Sequence, residues 1–218
     1  MNESSEVLAL TRQHIRELLK GEGSGHDWFH VLRVTTMALR LAAEEGADLA
    51  TVELAALLHD IADWKFNDGD EEAGPKAARA WLEQQGAEEE LIAHVCQIIR
   101  TMSFKGAGTT SQMNSIEGKV VQDADRLDAL GAIGIGRAFA YGGHIGREMF
   151  DPEVAPVLHA SAEEYKKSVG TTVNHFYEKL FLLKDRMNTE AAKRLAEGRH
   201  AYMEEFIKRF SSEWKGEQ

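Results

Sequence analysis

Apolar residues recur along the chain at spacings of three and four, and the strict alternation of a half-buried strand is nearly absent. This pattern predicts about eight helices. The first covers residues 5–20 and stops in the glycine-containing stretch 21–25. A second starts near Trp28, places Val31, Val34, Ala38 and Leu41 on one face and ends at Gly46. Asp48 reads as the N-cap of a helix over 49–61 that is apolar almost all round, so it is expected to be buried on most sides. Pro75 suits the first position of a helix that ends before Gly86, and another helix covers 88–102. SFKGAGTTSQMNS, residues 103–115, is small and polar and reads as a loop. One long apolar helix is expected over 116–141, stopped by Gly142 and Gly143. Residues 142–156 carry Pro152 and Pro156 and read as a loop suited to a lid or an oligomer arm. Two amphipathic helices, over 161–187 and 189–214, close the chain. In the first of them Val173, Phe176, Tyr177, Leu180 and Phe181 form a stripe, expected to pack over the core of the preceding helices or to make a homodimer face. The fold class is therefore all-α, without repeats or an evident domain boundary.

Composition narrows the function. The 218 residues are 43% hydrophobic and 28% charged, ordinary values for a folded domain. Asp and Glu number 36 against 25 Lys and Arg, a net charge of −11 that repels polyanions and disfavours nucleic acid as a partner. No apolar run is long enough to span a bilayer, so no membrane association is expected. The opening MNESSEVLAL lacks the layout of a secretion signal, and the one cysteine, Cys96, fits a reducing compartment; a cytoplasmic location is expected.

Among nine histidines the sharpest signal is His59-Asp60, in VELAALLHDIADWK at the end of a very apolar helix. Alone, the pair could be a core histidine bonded to backbone beside a capping aspartate. It has company, however. His30 lies 29 residues upstream in GHDWFHVLRV, and Asp125 lies 65 residues downstream of Asp60 in VVQDADRLDALGAIGIG. Imidazole and carboxylate together suit a divalent ion, which would offset the cost of burying them. Three helices can thus direct His, His-Asp and Asp at one centre.

The pattern H…HD…D on a helical chain resembles the HD superfamily of metal-dependent phosphohydrolases. GHDWFHVLRV, AALLHDIADWKF, VQDADRLDALGAIGIGRAFAYGG and the later HFYEKLFLLKDRMNT are similar to a bacterial branch of small standalone members, some of which are nucleoside triphosphate pyrophosphatases. The resemblance implies one HD-type helical bundle over 1–218, with a motif core at about 25–152 and a C-terminal helical extension at about 160–215. It maps the metal ligands onto His30, His59, Asp60 and Asp125. Asp125 is preferred to its neighbours because its ADRL context is the family's. Asp123 and Asp128 lie roughly 200° and 300° around the helix from it, so the three cannot all face one ion. Asp128 could instead support a ligand histidine. A two-metal centre would need further histidines, and His94 alone lies between Asp60 and Asp125, so one divalent ion is expected: Mn first, with Mg, Ni, Co, Fe or Zn compatible.

Four protein ligands leave about two positions of an octahedral ion for water and a phosphate oxygen. Asp63, three residues beyond Asp60 and acidic in related enzymes, is the candidate general base. Lys65 on the following loop is the candidate for stabilising transition-state charge. His26, His94, Arg126, Arg33 and Phe104 are candidate substrate-side residues. Trp28, Trp64, Phe66 and Phe104 could make a stacking wall, although such clusters are more often core. Close helix packing accounts better for Gly131–Gly136 than a phosphate loop does, because no strand precedes it. The resemblance implies a small-molecule nucleotide substrate, cleaved to monophosphate and pyrophosphate. A 5′-nucleotidase or a non-catalytic metal- and nucleotide-binding regulatory domain are the alternatives.

Overall fold

The computed structural model describes residues 3–21, 27–62, 70, 72–102, 113–158 and 170–217. All regular structure among them is helical: α1 (Glu3–Leu18), α2 (Trp28–Glu45), α3 (Leu49–Leu58), α4 (Ala73–Gln84), α5 (Glu89–Thr101), α6 (Ile116–Asp128), α7 (Gly131–His144), α8 (Thr172–Glu178), a 3₁₀ helix (Leu180–Arg186) and α9 (Glu190–Trp214). The chain packs as two compact units, divided within α6 between Ala124 and Asp125. No helix of the described residues is long and apolar enough to cross a membrane.

In the first unit α3 is the hub, with α1, α2 and α5 packed on it and α4 packed on α5. Its apolar character on every side has the expected consequence, since Val52 and the run Leu54–Leu58 are all buried. Asp48 caps it, its side chain accepting the Thr51 amide proton at 2.8 Å. The helix is shorter than the pattern suggests. It stops at Leu58, and the Ile61 amide reaches back only to the Leu58 carbonyl at 3.1 Å, a tightened last turn that sets His59 and Asp60 beyond the regular helix. α2 begins and ends as expected. Asp27 caps its start, and Gly46, at φ 73°, turns the chain out of it. Pro75 occupies the third position of α4 rather than the first. α1 is tied to α4 by the stack of His14 on Trp81, centroids 3.9 Å apart, and by the Trp81 indole donating to the Thr11 hydroxyl at 2.8 Å.

The second unit corrects two expectations. The helix expected over 116–141 is two helices. Leu130 is extended and Gly131 takes φ +70°, a left-handed conformation that breaks α6 from α7 without disturbing the apolar spacing. At Gly134 a Cβ would come within 2.2 Å of the Ala129 carbonyl oxygen, so the turn just before α7, rather than a neighbouring helix, requires a glycine there. The helix expected over 161–187 is likewise divided. Residues 161–169 lie outside the described set. Beyond them Thr171 caps α8, and Lys179, at φ −141° and ψ −56°, interrupts the chain before the 3₁₀ helix. The stripe it carries is buried at Val173, Phe176 and Leu180, whereas Tyr177 is exposed. Phe176 meets Phe139 of α7 and Phe206 of α9, and Phe139 and Phe150 extend this cluster through Phe210 to Trp214. The loop after α7 is tied to α8. The Thr172 amide donates to the Glu148 carbonyl at 2.9 Å, the Asn174 side chain to the Val154 carbonyl at 2.9 Å, and the Val157 amide to the buried Glu178 carboxylate at 3.0 Å.

Candidate metal centre

His30 is the third residue of α2, and its amide donates to the Asp27 carboxylate at 2.8 Å, so the cap that starts the helix also sets where this imidazole leaves it. The ring is fully buried. Across the α2–α3 contact, His30 Nε2 lies 3.2 Å from His59 Nε2, with the rings inclined at 70°. Asp60 Oδ2 lies 3.3 Å from the first nitrogen and 3.4 Å from the second. Three donor atoms from two elements therefore form a triangle of nearly equal edges. Asp60 is the corner that solvent reaches, with its side chain 12% exposed against 0% for His30 and 3% for His59.

The tautomer of His59 follows from its outer partner. Its Nδ1 lies 2.8 Å from the Ala56 carbonyl oxygen, which can only accept, so Nδ1 carries a proton, and in the neutral ring Nε2 presents a lone pair to the triangle. The edges fit a shared ion. With metal–nitrogen bonds of about 2.0–2.1 Å, ligands subtending 90–110° lie about 2.8–3.4 Å apart. Two imidazoles and a carboxylate make a donor set for a borderline or hard divalent ion and do not single out one metal. Among the described residues, His30, His59 and Asp60 are the group that could hold one.

The remaining sequence candidates are placed as follows. Asp125 is half-buried in the last turn of α6, within the second unit. Asp123 is fully buried on the same helix. Asp128 is paired with Arg137 at 3.0 Å. Arg126 is buried and donates to the Arg186 carbonyl oxygen. Arg33 is half-buried on α2. His94 faces Glu117 at 3.7 Å and lines a shallow hollow with Thr51, Glu88, Glu90 and Leu91. Glu117 also accepts the Asp48 amide at 3.2 Å, so His94 belongs to the N-terminal end of α3, where Thr51 of the same hollow is roughly 12 Å along the helix from His59 at 1.5 Å per residue. His26, Asp63, Lys65 and Phe104 lie outside the described residues, as do Trp64 and Phe66. Trp28, the first residue of α2, is half-buried.

Sequence reading overlooked Asp27 and Ala56. Asp27 left a signal, an aspartate directly ahead of an apolar helix. The Ala56 carbonyl left none, because a backbone acceptor has no residue type.

Comparison with known proteins puts these residues inside a matched region. The model of the HD domain family matches residues 28–130. The Bacillus subtilis (strain 168) protein YpgQ is 39% identical over 213 residues, spanning 94% of this chain and 92% of its own. The crystal structure of YpgQ in complex with ADP matches with a TM-score of 0.72 at 37% identity, over 93% of this chain and 97% of that one. A crystal structure of an HD-superfamily hydrolase from Bacillus thuringiensis is 48% identical, with a TM-score of 0.74 over 97% of this chain and 98% of that one. A crystal structure from Lactobacillus plantarum is 41% identical with a TM-score of 0.87, again over 97% and 98%.

Proposed function

Because the chain belongs to the HD superfamily of metal-dependent phosphohydrolases, we propose that it hydrolyses nucleotides, converting a nucleoside triphosphate to the monophosphate and pyrophosphate. The observation that carries this reading is the His30–His59–Asp60 triangle, whose edges and donor types suit one divalent ion. The nucleotide class is supported by the relative YpgQ, 37% identical in its complex with ADP. In this reading Asp125 is the fourth ligand, as its motif context implies, and Mn²⁺ is the preferred ion.

A bound divalent ion supplies Lewis acidity, making water acidic near neutral pH and offsetting phosphate charge. The chain's own residues do the rest. His59, with its Nδ1 proton committed to Ala56, keeps its Nε2 lone pair directed at the centre, and Asp60 contributes negative charge at the solvent edge. Asp63 takes a proton from the attacking water. Water adds to the α-phosphorus, and the bond to the bridging oxygen breaks so that this oxygen leaves with pyrophosphate. In this reading Lys65 and Arg33 offset charge on the phosphate chain, and His26 and Phe104 are assigned to binding the nucleoside. A cytoplasmic location belongs to this reading, in keeping with a single cysteine, Cys96, that is free and buried.

The deciding experiment is a panel of nucleoside tri-, di- and monophosphates with each of several divalent ions, the products separated by chromatography. Pyrophosphate from triphosphates is the expected product. Orthophosphate released from monophosphates would make the protein a 5′-nucleotidase. A chain that binds ion and nucleotide and turns over neither would be a regulatory module.

A further inference from the structure

The last turn of α6 collects two carboxylates, Asp125 and Asp128, at the end of a helix whose own carbonyls already make it negative. Three arginines fasten this turn, one through a carboxylate and two through backbone carbonyls. Arg137 of α7 pairs with Asp128 at 3.0 Å. Arg126, within the turn, donates to the Arg186 carbonyl oxygen at the end of the 3₁₀ helix. Arg199, from the middle of α9 and 72 residues away in sequence, donates through Nη1 to the Leu127 carbonyl oxygen. That oxygen also accepts the Leu130 amide at 3.1 Å, so its second lone pair is the one Arg199 takes up. The approach depends on Gly131. A Cβ there would sit 3.1 Å from Arg199 Cγ and 3.2 Å from Arg199 Cβ, so the missing side chain lets the arginine stem lie against the backbone where α6 breaks from α7.

We propose that Arg199 is a positioning residue for the metal centre, holding through the Leu127 carbonyl the helix turn that carries Asp125. This rests on the reading of Asp125 as a metal ligand. Arg199 lies outside the matched 28–130 region, so on this proposal the C-terminal helix helps to determine ion affinity rather than only adding bulk. The physical reason is leverage. A carboxylate on a frayed last turn samples many positions, whereas one on a turn fastened at its next-but-one residue is already near the place at which it must bind.

The test is Mn²⁺ affinity of the full chain, followed by the electron paramagnetic resonance of unbound ion. The variants are Arg199→Met, Asp125→Ala and the pair combined. Arg199→Met keeps the stem on Gly131 and loses the guanidinium; its affinity is expected to fall about tenfold, as when a partner behind a ligand is lost. In the Asp125→Ala background the same change should have no further effect, since the ligand it positions is gone. Arg199→Lys, which keeps a charge but not the planar fork, should fall between Met and wild type. Thermal unfolding of the metal-free variants establishes that each is folded. Unchanged affinity in Arg199→Met, or an equal loss in both backgrounds, overturns the proposal while leaving Asp125 a ligand. Wild-type affinity in Asp125→Ala overturns the ligand reading itself, and the proposal with it.

Discussion

The end of α3 and the end of α6 both bring carboxylates to the negative pole of a helix, and they are balanced differently. At α6 the balance is made by arginines. Arg137 meets Asp128, and Arg199 meets a carbonyl of the turn. At α3 two imidazole nitrogens lie beside Asp60 Oδ2, and with Nδ1 of His59 donating to Ala56, the neutral ring turns a lone pair toward it. Guanidinium is charged at every physiological pH and makes a permanent brace. A lone pair beside a carboxylate is a donor set that a cationic ligand can bind. The same electrostatic problem thus has a structural answer in one place and a chemical one in the other.

The strongest way to break this contrast is to remove a corner of the triangle. His59→Ala and Asp60→Ala should each abolish ion binding and lower hydrolysis by more than about 100-fold, beyond the range seen when only an outer partner is lost. Calorimetric titration that finds wild-type Mn²⁺ binding in either variant would show that the triangle is not the ligand set. Asp63→Asn comes next. It should leave the ion bound and lower kcat by about 100-fold, the usual worth of a positioned base. Full turnover in that variant would return Asp63 to an ordinary side chain.

On the braced side the effects should be on stability. Arg137→Met removes a cation from the buried Asp128, and because the Arg137 side chain is 19% exposed the cost is expected between that of an exposed and a fully buried pair, about 2 kcal/mol in urea unfolding. An unchanged urea midpoint would mean that the pair is not a brace. The smallest effect concerns His14, an imidazole set against an aromatic ring instead of a ligand set. Its burial lowers its pKa below the ordinary 6.5. The unfolded chain therefore binds this proton first, so the stability that neutral His14 contributes is whole above pH 6.5 and shrinks as pH falls below that value. The loss of stability between about pH 7.5 and about pH 5.5 should be smaller in His14→Gln than in the wild type. Equal losses would show that His14 is not the group responsible.

Much of this was legible in the linear chain. The boundaries of α2 follow from Gly46 and the apolar face, and the start of α3 follows from Asp48. His30 and the His59-Asp60 doublet stood out because their residue types are costly to bury without a partner. The breaks at Gly131 and Lys179 did not stand out. In both places the three-and-four spacing runs on across the interruption, and hydrophobic pattern carries no information about the sign or size of a single φ. His94 reads from sequence as the edge of an apolar face. Its place beside Glu117 and Thr51, at the far end of α3 from His59, depends on how α5 and α6 pack.

Sequence alone determined the helical class, the capped starts and stops, and the inventory of donors available to an ion, because propensity, capping and ligand chemistry belong to residues and their near neighbours. Tertiary structure decided that His30 Nε2, His59 Nε2 and Asp60 Oδ2 stand 3.2–3.4 Å apart, and that Arg199 reaches a carbonyl 72 residues before it. Those separations are set by the packing of α2 on α3 and by a glycine-sized gap beneath α9. They arise from volume and backbone direction summed over distant segments, which no local run of residues records.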